Sequence, residues 1–197
     1  MQVKCTATTN GAVMDTVEHP RRPVRLVEGV LEPWPDARAS DCIVWFPVPD
    51  AGEGSGGPEA EGVPAIRLDG DRARLTGIPF FPYHVGLGDE VQVREQDGAL
   101  YCVDVVVAAG DLVVRIFDEA GVVATEQALT DPESDEPFWR VARALAAHGV
   151  WFERYSTGYA ALSIATAEWE FVAPFLDLKS RADGLRWELA TPMRVNA

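Results

Sequence analysis

The run TGIPFFPYHVGLGDEVQV at residues 76–93 constrains the fold most, because an aromatic and proline cluster leads through glycines into an alternating strand. Phe80, Phe81 and Tyr83 carry large apolar surfaces, and the prolines between them stiffen the backbone. Gly86 and Gly88 allow the positive φ values that a sharp reversal needs. We therefore expect a compact knuckle (residues 79–88) that plugs one end of a β-barrel.

Short strands are predicted on both sides of the knuckle. Val91 and Val93 alternate with polar residues, Asp97-Gly98 is typical of a hairpin turn, and residues 100–107 form the predicted return strand. Further strands are predicted at 24–31, 43–48, 64–68 and 73–77. These patterns predict a small β-barrel or curled antiparallel sheet over residues 24–110.

Two segments outside these strands are predicted to be irregular. Residues 1–23 are polar with threonine and proline breaks, so we expect a loose N-terminal arm. Residues 50–62, DAGEGSGGPEAEG, are acidic and rich in glycine, and cannot bury enough apolar area to order themselves. We expect a flexible acidic surface loop there.

The pattern changes at residue 111. An apolar strand at 112–117 is followed by a helix that begins near Pro137, and two further strands flank Thr157-Gly158. A second helical stretch runs from Thr166 to Gly184, and LRWEL at 185–189 is the last strand. Residues 111–197 are thus predicted to form a ferredoxin-like β-α-β-β-α-β unit, which makes the whole chain an α+β protein.

Composition excludes several function classes. The 31 acidic and 17 basic residues give a net charge of −14, which argues against nucleic-acid binding and favours a basic or neutral partner. The same charge could also act only to maintain solubility. No apolar run approaches the roughly 20 residues that span a bilayer, and no secretory pattern is evident, so we expect a cytoplasmic protein. The three cysteines are an odd number without metal-ligand spacing, which predicts reduced thiols.

GIPFFPYHVGLGDEVQV, the VVRIF segment, the helix after it and the closing WEL strand together resemble the bacterial domain-of-unknown-function family numbered 4265. The resemblance covers roughly residues 42 to 190. It implies a fold and a bacterial origin, and it assigns no catalytic residue. The N-terminal arm and the acidic loop fall outside it.

His84, Asp89 and Glu90 are the candidate catalytic residues, with Tyr83 beside them. A histidine near a carboxylate can be held in one tautomer and act as a general base. The alternative is that Asp89 bonds backbone amides in a turn while His84 lies at the surface. His19 and His148 have no partners at ligand spacing. Asp69, Asp71, Asp97 and Asp104 could supply oxygen ligands to a cation, but the first three fall in predicted turns, where aspartate bonds the local backbone. No metal site and no cofactor are predicted.

Phe80, Phe81, Tyr83 and His84 are the candidate partner- or ligand-binding residues. Four tryptophans in the C-terminal half could either pack in the core or contribute to an interface: Trp139, Trp151, Trp169 and Trp187. We expect a non-enzymatic factor that binds a protein or peptide, such as an inhibitor, immunity or accessory protein. The alternative is a small-molecule-binding protein or an enzyme with a cleft between the barrel and the ferredoxin-like unit.

Overall fold

A computed structural model describes residues 4–9, 12–48, 58–118 and 130–191, with side chains from residue 15 onward. The fold is a mixed α+β arrangement, mostly of strands. The strands are β1 (Lys4–Thr9), β2 (Ala12–Glu18), β3 (Val24–Val27), β4 (Val30–Pro33), β5 (Cys42–Pro47), β6 (Ala60–Arg67), β7 (Arg72–Leu75), β8 (Glu90–Gln96), β9 (Ala99–Val107), β10 (Asp111–Asp118), β11 (Trp151–Ser156), β12 (Tyr159–Ala165) and β13 (Leu185–Leu189). The α-helices are α1 (Pro137–Leu145) and α2 (Trp169–Asp183).

Strands β5 to β9 form a closed five-stranded barrel. Their order is β6-β5-β9-β8-β7, and β7 pairs back with β6 to close it. Inward-facing side chains such as Val44, Val63 and Leu75 are 0% exposed, as the alternation of apolar residues predicts. The hairpin of β8 and β9 is confirmed, with Asp97 and Gly98 at φ 53° and 80° in its two-residue turn.

The second sheet has the order β13-β10-β12-β11-β3-β4, and its recorded pairings are antiparallel. One face carries Val114, Phe152 and Leu162, which pack in one apolar cluster with residues of α1 and α2. The opposite face carries Val113 and Ala161, which pack against residues from the knuckle region. The barrel therefore lies on the sheet face opposite the helices.

The knuckle and the residue before it, Ile78, together form the knuckle region, which connects the two sheets. Val85 belongs to the apolar core of the barrel, so a residue of the knuckle does enter the barrel. Ile78, Phe80 and Leu87 instead pack against the second sheet, and all three are at most 1% exposed. The knuckle is thus mainly an internal contact between barrel and sheet.

The N-terminal third differs from the prediction. Where a loose arm was expected, the structure has β1 and β2, and β2 pairs with β6 in parallel. Residues 24–33, expected in the barrel, form the β3–β4 hairpin and join the second sheet through Phe152 and Val24. β2 and β3 each pair with a strand that is distant in the sequence, and local patterns carry no information on such pairing.

The predicted acidic loop at 50–62 was wrong at its C-terminal end. Ala60–Gly62 belong to β6, and Glu61 is 0% exposed. Residues 50–57 of that prediction lie outside the described residues. Among the helices that the structure describes, none is long and apolar enough to cross a membrane.

Candidate functional site

One histidine and two glutamates form a buried polar cluster between the barrel and the second sheet. His19, just after β2, lies between Glu61 of β6 and Glu153 of β11. Its Nε2 is 2.7 Å from Oε1 of Glu61, and its Nδ1 is 2.6 Å from Oε1 of Glu153. The side chain of His19 is 1% exposed and both glutamates are 0% exposed. We call these three residues the His19 clasp.

Backbone amides of the knuckle region complete the clasp. The amides of Phe80 and Phe81 donate to the two oxygens of Glu61, each at 2.8 Å. The amide of Ile78 donates to Oε2 of Glu153 at 3.0 Å. Every oxygen of the two carboxylates therefore accepts a hydrogen bond, as buried polar groups require. The clasp links the barrel, the second sheet, the knuckle region and the chain after β2.

The charge state of His19 follows from this environment. Burial by itself lowers the pKa of His19, but the charges and hydrogen bonds of Glu153 and Glu61 outweigh that effect and raise the pKa to about 10. Burial raises the pKa of Glu153 as well, against the attraction of His19. A protonated imidazole donates from both nitrogens, which matches the two contacts observed. His19 is therefore an imidazolium at neutral pH.

Gly77 shows how closely the chain packs around the clasp. A Cβ at this position would lie 2.9 Å from Nδ1 of His19 and 2.9 Å from Cδ of Pro64. Only glycine lets the backbone approach the imidazole this closely. A substrate could not enter such a space, so we interpret the clasp as a structural element and not as a catalytic centre.

Asp89 and Glu90, two of the candidate catalytic residues, make contacts within the barrel region. Asp89 is 4% exposed, and its Oδ2 and Oδ1 accept hydrogen bonds from the amides of Gly86 (2.9 Å) and Ala109 (2.7 Å). Glu90 lies 3.3 Å from Arg72 on the barrel surface. The two contacts of Asp89 match the turn role that is the alternative to catalysis for this residue.

His84 is exposed and adopts a left-handed backbone conformation, with φ at 67°. Its amide donates to the carbonyl of Ala190 at 3.0 Å, which places this part of the knuckle at the end of β13. The strained conformation at a non-glycine residue is a feature that functional sites often share. His84 therefore keeps its place among the candidate binding residues.

The candidate binding aromatics separate into a buried and an exposed set. Phe80 is 1% exposed, and the hydroxyl of Tyr159 donates to its carbonyl, so its side chain belongs to the internal contact. Phe81 is half-buried against Tyr155 and Tyr159. Tyr83 is 43% exposed. Of the three, Tyr83 presents the most surface to a partner.

Tyr83 is held in place by Arg115 and Glu188. The guanidinium of Arg115 lies 4.3 Å from the centre of the Tyr83 ring, and it donates to Oε1 of Glu188 at 2.9 Å and to the carbonyl of Pro82 at 2.5 Å. The Tyr83 hydroxyl donates to the same glutamate oxygen at 3.3 Å. An exposed aromatic ring is thus fixed in one orientation before any partner binds.

A groove of about 490 Å³ lies beside Glu188, and we call it the β13 groove. It is lined by residues of both charge signs and two aromatic rings. They are Phe117, Asp118, Gly158, Arg186, Trp187 and Glu188. The groove joins the Tyr83 surface through their shared glutamate.

Two of the three cysteines can be placed with their side chains. Burial raises the pKa of the Cys42 thiol and of the Cys102 thiol to about 11 each, and both are free thiols. Such thiols are poor nucleophiles at neutral pH. Within the described ranges, no group of three or more His, Cys, Asp or Glu side chains could hold a metal ion.

The sequence patterns do not predict the His19 clasp. They place His19 in a loose arm and Glu61 in a flexible loop, and they give no role to Glu153. The nearest signal is Glu153 in the segment VWFERY, where four of the six residues are apolar or aromatic, because an acid in a buried strand needs a buried partner. Nothing in the sequence indicates which residue that partner is.

The comparison with family models identifies the chain. A model described as "Domain of unknown function (DUF4265)" matches residues 61–180. The chain belongs to this family. The resemblance inferred from residues 42–190 is thereby confirmed. The DUF4265 match includes Glu61 and Glu153, whereas His19 precedes it.

One solved structure supports the fold of this DUF4265 protein. It is a hypothetical protein from Neisseria gonorrhoeae, similar at a TM-score of 0.58 and 14% identity over 76% of this chain and 94% of that chain. At this identity the likeness concerns the fold alone. No curated protein matched the chain.

Proposed function

We propose that this DUF4265 protein is a non-enzymatic bacterial cytosolic factor that binds a protein or peptide, as an inhibitor, an immunity protein or an accessory component. The proposed contact surface consists of Tyr83, His84 and the β13 groove. The observation that carries the proposal is the open edge of β13, which lies beside this groove and a fixed aromatic ring.

The edge of β13 has backbone groups available for pairing. β13 is the last strand in the order of its sheet, and within the described residues no strand pairs with its outer side. The amide of Ala190 donates to the carbonyl of Val113, and alternate residues of an antiparallel strand point their N–H and C=O in opposite directions. The N–H and C=O groups of Trp187 and Leu189 therefore point outward. An extended peptide can bind such an edge as an additional strand.

The side chains around this edge favour a partner of mixed apolar and basic character. Phe117, Trp187 and Tyr83 offer aromatic surface, and aromatic residues are enriched at the centres of interfaces. Glu188 and Asp118 attract basic side chains, as does the net charge of −14. The preferred ligand is thus an extended peptide in which apolar residues alternate with lysine or arginine.

The proposal can be tested with a displayed library of random peptides selected on the wild-type protein at low salt. Enriched peptides should show the alternating apolar and basic pattern, and their affinity should fall as salt is added. Synthetic versions are then measured by fluorescence polarisation against Tyr83→Ala and Leu189→Pro. The proline removes an outward N–H group without breaking the β10–β13 pairing.

Both variants should bind the selected peptides at least roughly tenfold more weakly. Tyr83→Ala removes an aromatic contact, and Leu189→Pro removes a backbone hydrogen bond. Val103→Ala is the matched control, since Val103 is an apolar side chain of the barrel with similar exposure, 47%. Thermal unfolding checks that all variants fold. Failure to enrich any peptide, or equal binding by all three variants, would refute the proposal.

We also infer that residues 111–191 constitute a ferredoxin-like unit. The order β13-β10-β12-β11, with α1 between β10 and β11 and α2 between β12 and β13, supports this inference. The free thiols of Cys42 and Cys102 are compatible with a cytosolic location. The alternative of a ligand cleft between barrel and sheet has less support, because Ile78, Phe80 and Leu87 fill that contact.

A further inference from the structure

A second concave site lies on the helix side of the six-stranded sheet, away from the β13 groove. It has a volume of about 270 Å³. Its walls combine apolar side chains with three arginines. They are Arg21, Arg22, Val24, Leu31, Thr130, Trp139, Phe152 and Arg154. We call it the arginine cleft.

The charge of this cleft is unusual for the chain. With only 17 basic residues against 31 acidic ones, three arginines nevertheless converge on one apolar cavity. Arg154 is bonded to Oε2 of Glu136 at 2.9 Å and to the carbonyl of Thr157 at 2.9 Å. Within the described part of the chain, no ion pair involves Arg21 or Arg22. These two arginines therefore bring positive charge that is not neutralised by an ion pair with any residue that the structure describes.

The pKa of Arg154 is affected by the positive charge of Arg21. Burial lowers the pKa of Arg154 most, and the nearby charge of Arg21 lowers it further, whereas Glu136 and Asp118 raise it. Among the charged groups that the structure describes, Arg21 is thus the like charge that acts on Arg154, and Glu136 and Asp118 are the opposite charges. Like charges held close together beside apolar walls are unfavourable, and a bound anion would relieve that repulsion.

The backbone that carries Arg21 and Arg22 is also held in position. Arg21 and Arg22 lie between Pro20 and Pro23, whose rings fix the backbone φ angle. On one side of this segment His19 is anchored in the His19 clasp. On the other, Pro23 is buried and its carbonyl accepts a hydrogen bond from Trp34 at 2.9 Å. The backbone of this segment is therefore restricted on both sides, which keeps Arg21 and Arg22 beside the cleft and lowers the cost of ordering the segment when a ligand binds.

We propose that the arginine cleft binds a small organic carboxylate with an apolar body, with Arg21 and Arg22 at the carboxylate and Trp139 and Phe152 along the apolar part. The volume corresponds to about nine water molecules at about 30 Å³ each, which is enough for a medium-length alkyl chain. This site is independent of the proposed peptide-binding surface. The peptide experiment and the one below therefore succeed or fail separately.

Octanoate is the probe, and 1-octanol is the uncharged probe of the same chain length. Isothermal titration with the full chain should show saturable octanoate binding at least roughly tenfold tighter than octanol binding. The double variant Arg21→Gln/Arg22→Gln should lose that preference and bind octanoate about as weakly as octanol. Arg38→Gln/Arg94→Gln, which removes the same charge from two exposed positions outside the cleft, should bind octanoate like the wild type.

The location is checked by nuclear Overhauser contacts between octanoate protons and the rings of Trp139 and Phe152 in the wild-type protein. Contacts to those rings support the proposal. It is overturned if octanoate does not bind saturably, if it binds no tighter than octanol, if the Arg21/Arg22 variant binds like the wild type, or if the contacts map to another part of the surface.

Discussion

Replacing His19 with glutamine removes the positive charge between the two buried carboxylates while keeping a side chain that can donate a hydrogen bond. Glu61 and Glu153 are 0% exposed, so neither can recover the lost interaction from water. Removing one partner from a buried ion pair costs about 3–5 kcal/mol of unfolding free energy. Uptake of a proton by one glutamate would reduce the loss, so we expect about 3 kcal/mol at pH 7.

The raised pKa of His19 gives a second estimate, at the upper end of the range of about 3–5 kcal/mol. Its rise from 6.5 to about 10 corresponds to roughly 5 kcal/mol, at about 1.4 kcal/mol for each pKa unit. Because the folded pKa is raised, this stabilisation is complete below pH 6.5 and is lost as the pH rises towards 10. The raised pKa of Glu153 acts in the same direction at lower pH, since its folded form also retains a proton longer.

The assay is urea unfolding followed by tryptophan fluorescence at several pH values from 6 to 10. Wild-type stability should fall with rising pH, at up to about 1.4 kcal/mol per pH unit from this group. The difference between wild type and His19→Gln should shrink over the same range. In a thermal scan at pH 7 the variant should unfold about 10 °C lower, given 2–4 °C per kcal/mol for a chain of this size.

His148→Gln is the matched control. His148 makes the same kind of contact, with Nδ1 2.7 Å from Glu168, but its side chain is 21% exposed and that of Glu168 is 38% exposed. A contact accessible to solvent contributes under about 1 kcal/mol. A His19→Gln loss as small as that of the control, or one that does not change between pH 6.5 and 10, would refute the buried-charge argument.

Three further outcomes are expected. Gly77→Ala should lower the free energy of unfolding by about 1–3 kcal/mol in a urea titration, because its Cβ would lie 2.9 Å from the buried imidazole of His19. Gly86→Ala is the control and should lower the free energy of unfolding less, because its nearest contact would be at 3.4 Å. Asp89→Ala should cost about 1–3 kcal/mol in thermal unfolding because it leaves two backbone amides without their acceptor; an unchanged midpoint would contradict the turn role. Cys42 and Cys102 should react slowly with iodoacetamide at pH 8 in the folded protein and quickly in urea, as mapped by mass spectrometry, and equal rates would contradict their raised pKa values.

Local patterns predicted the elements whose partners are close in sequence. The β8–β9 hairpin follows from alternation around Asp97-Gly98, and β13 has the bounds predicted from LRWEL. Pro137 begins α1 as expected, since proline suits the first turn of a helix. The knuckle was also recognised, but its main contact is with the second sheet and not with the barrel end alone.

The assignment of the N-terminal strands required the tertiary structure. β2 pairs in parallel with β6, and β3 joins the second sheet through β11, more than 120 residues away in the sequence. The polar composition of residues 1–23 predicted a loose arm because it shows no apolar periodicity. These strands are stabilised by their neighbours, which composition does not reveal.

What the sequence by itself determined is therefore the set of local elements, the mixed α+β class, the acidic character and the membership of the DUF4265 family. The tertiary structure decided which polar residues meet. His19 and Glu153 are 134 positions apart, and they come into contact because strands from two sheets converge on one knuckle. The energy of a buried charge depends on that convergence, and the same residues spread along an unfolded chain would be ordinary solvated side chains.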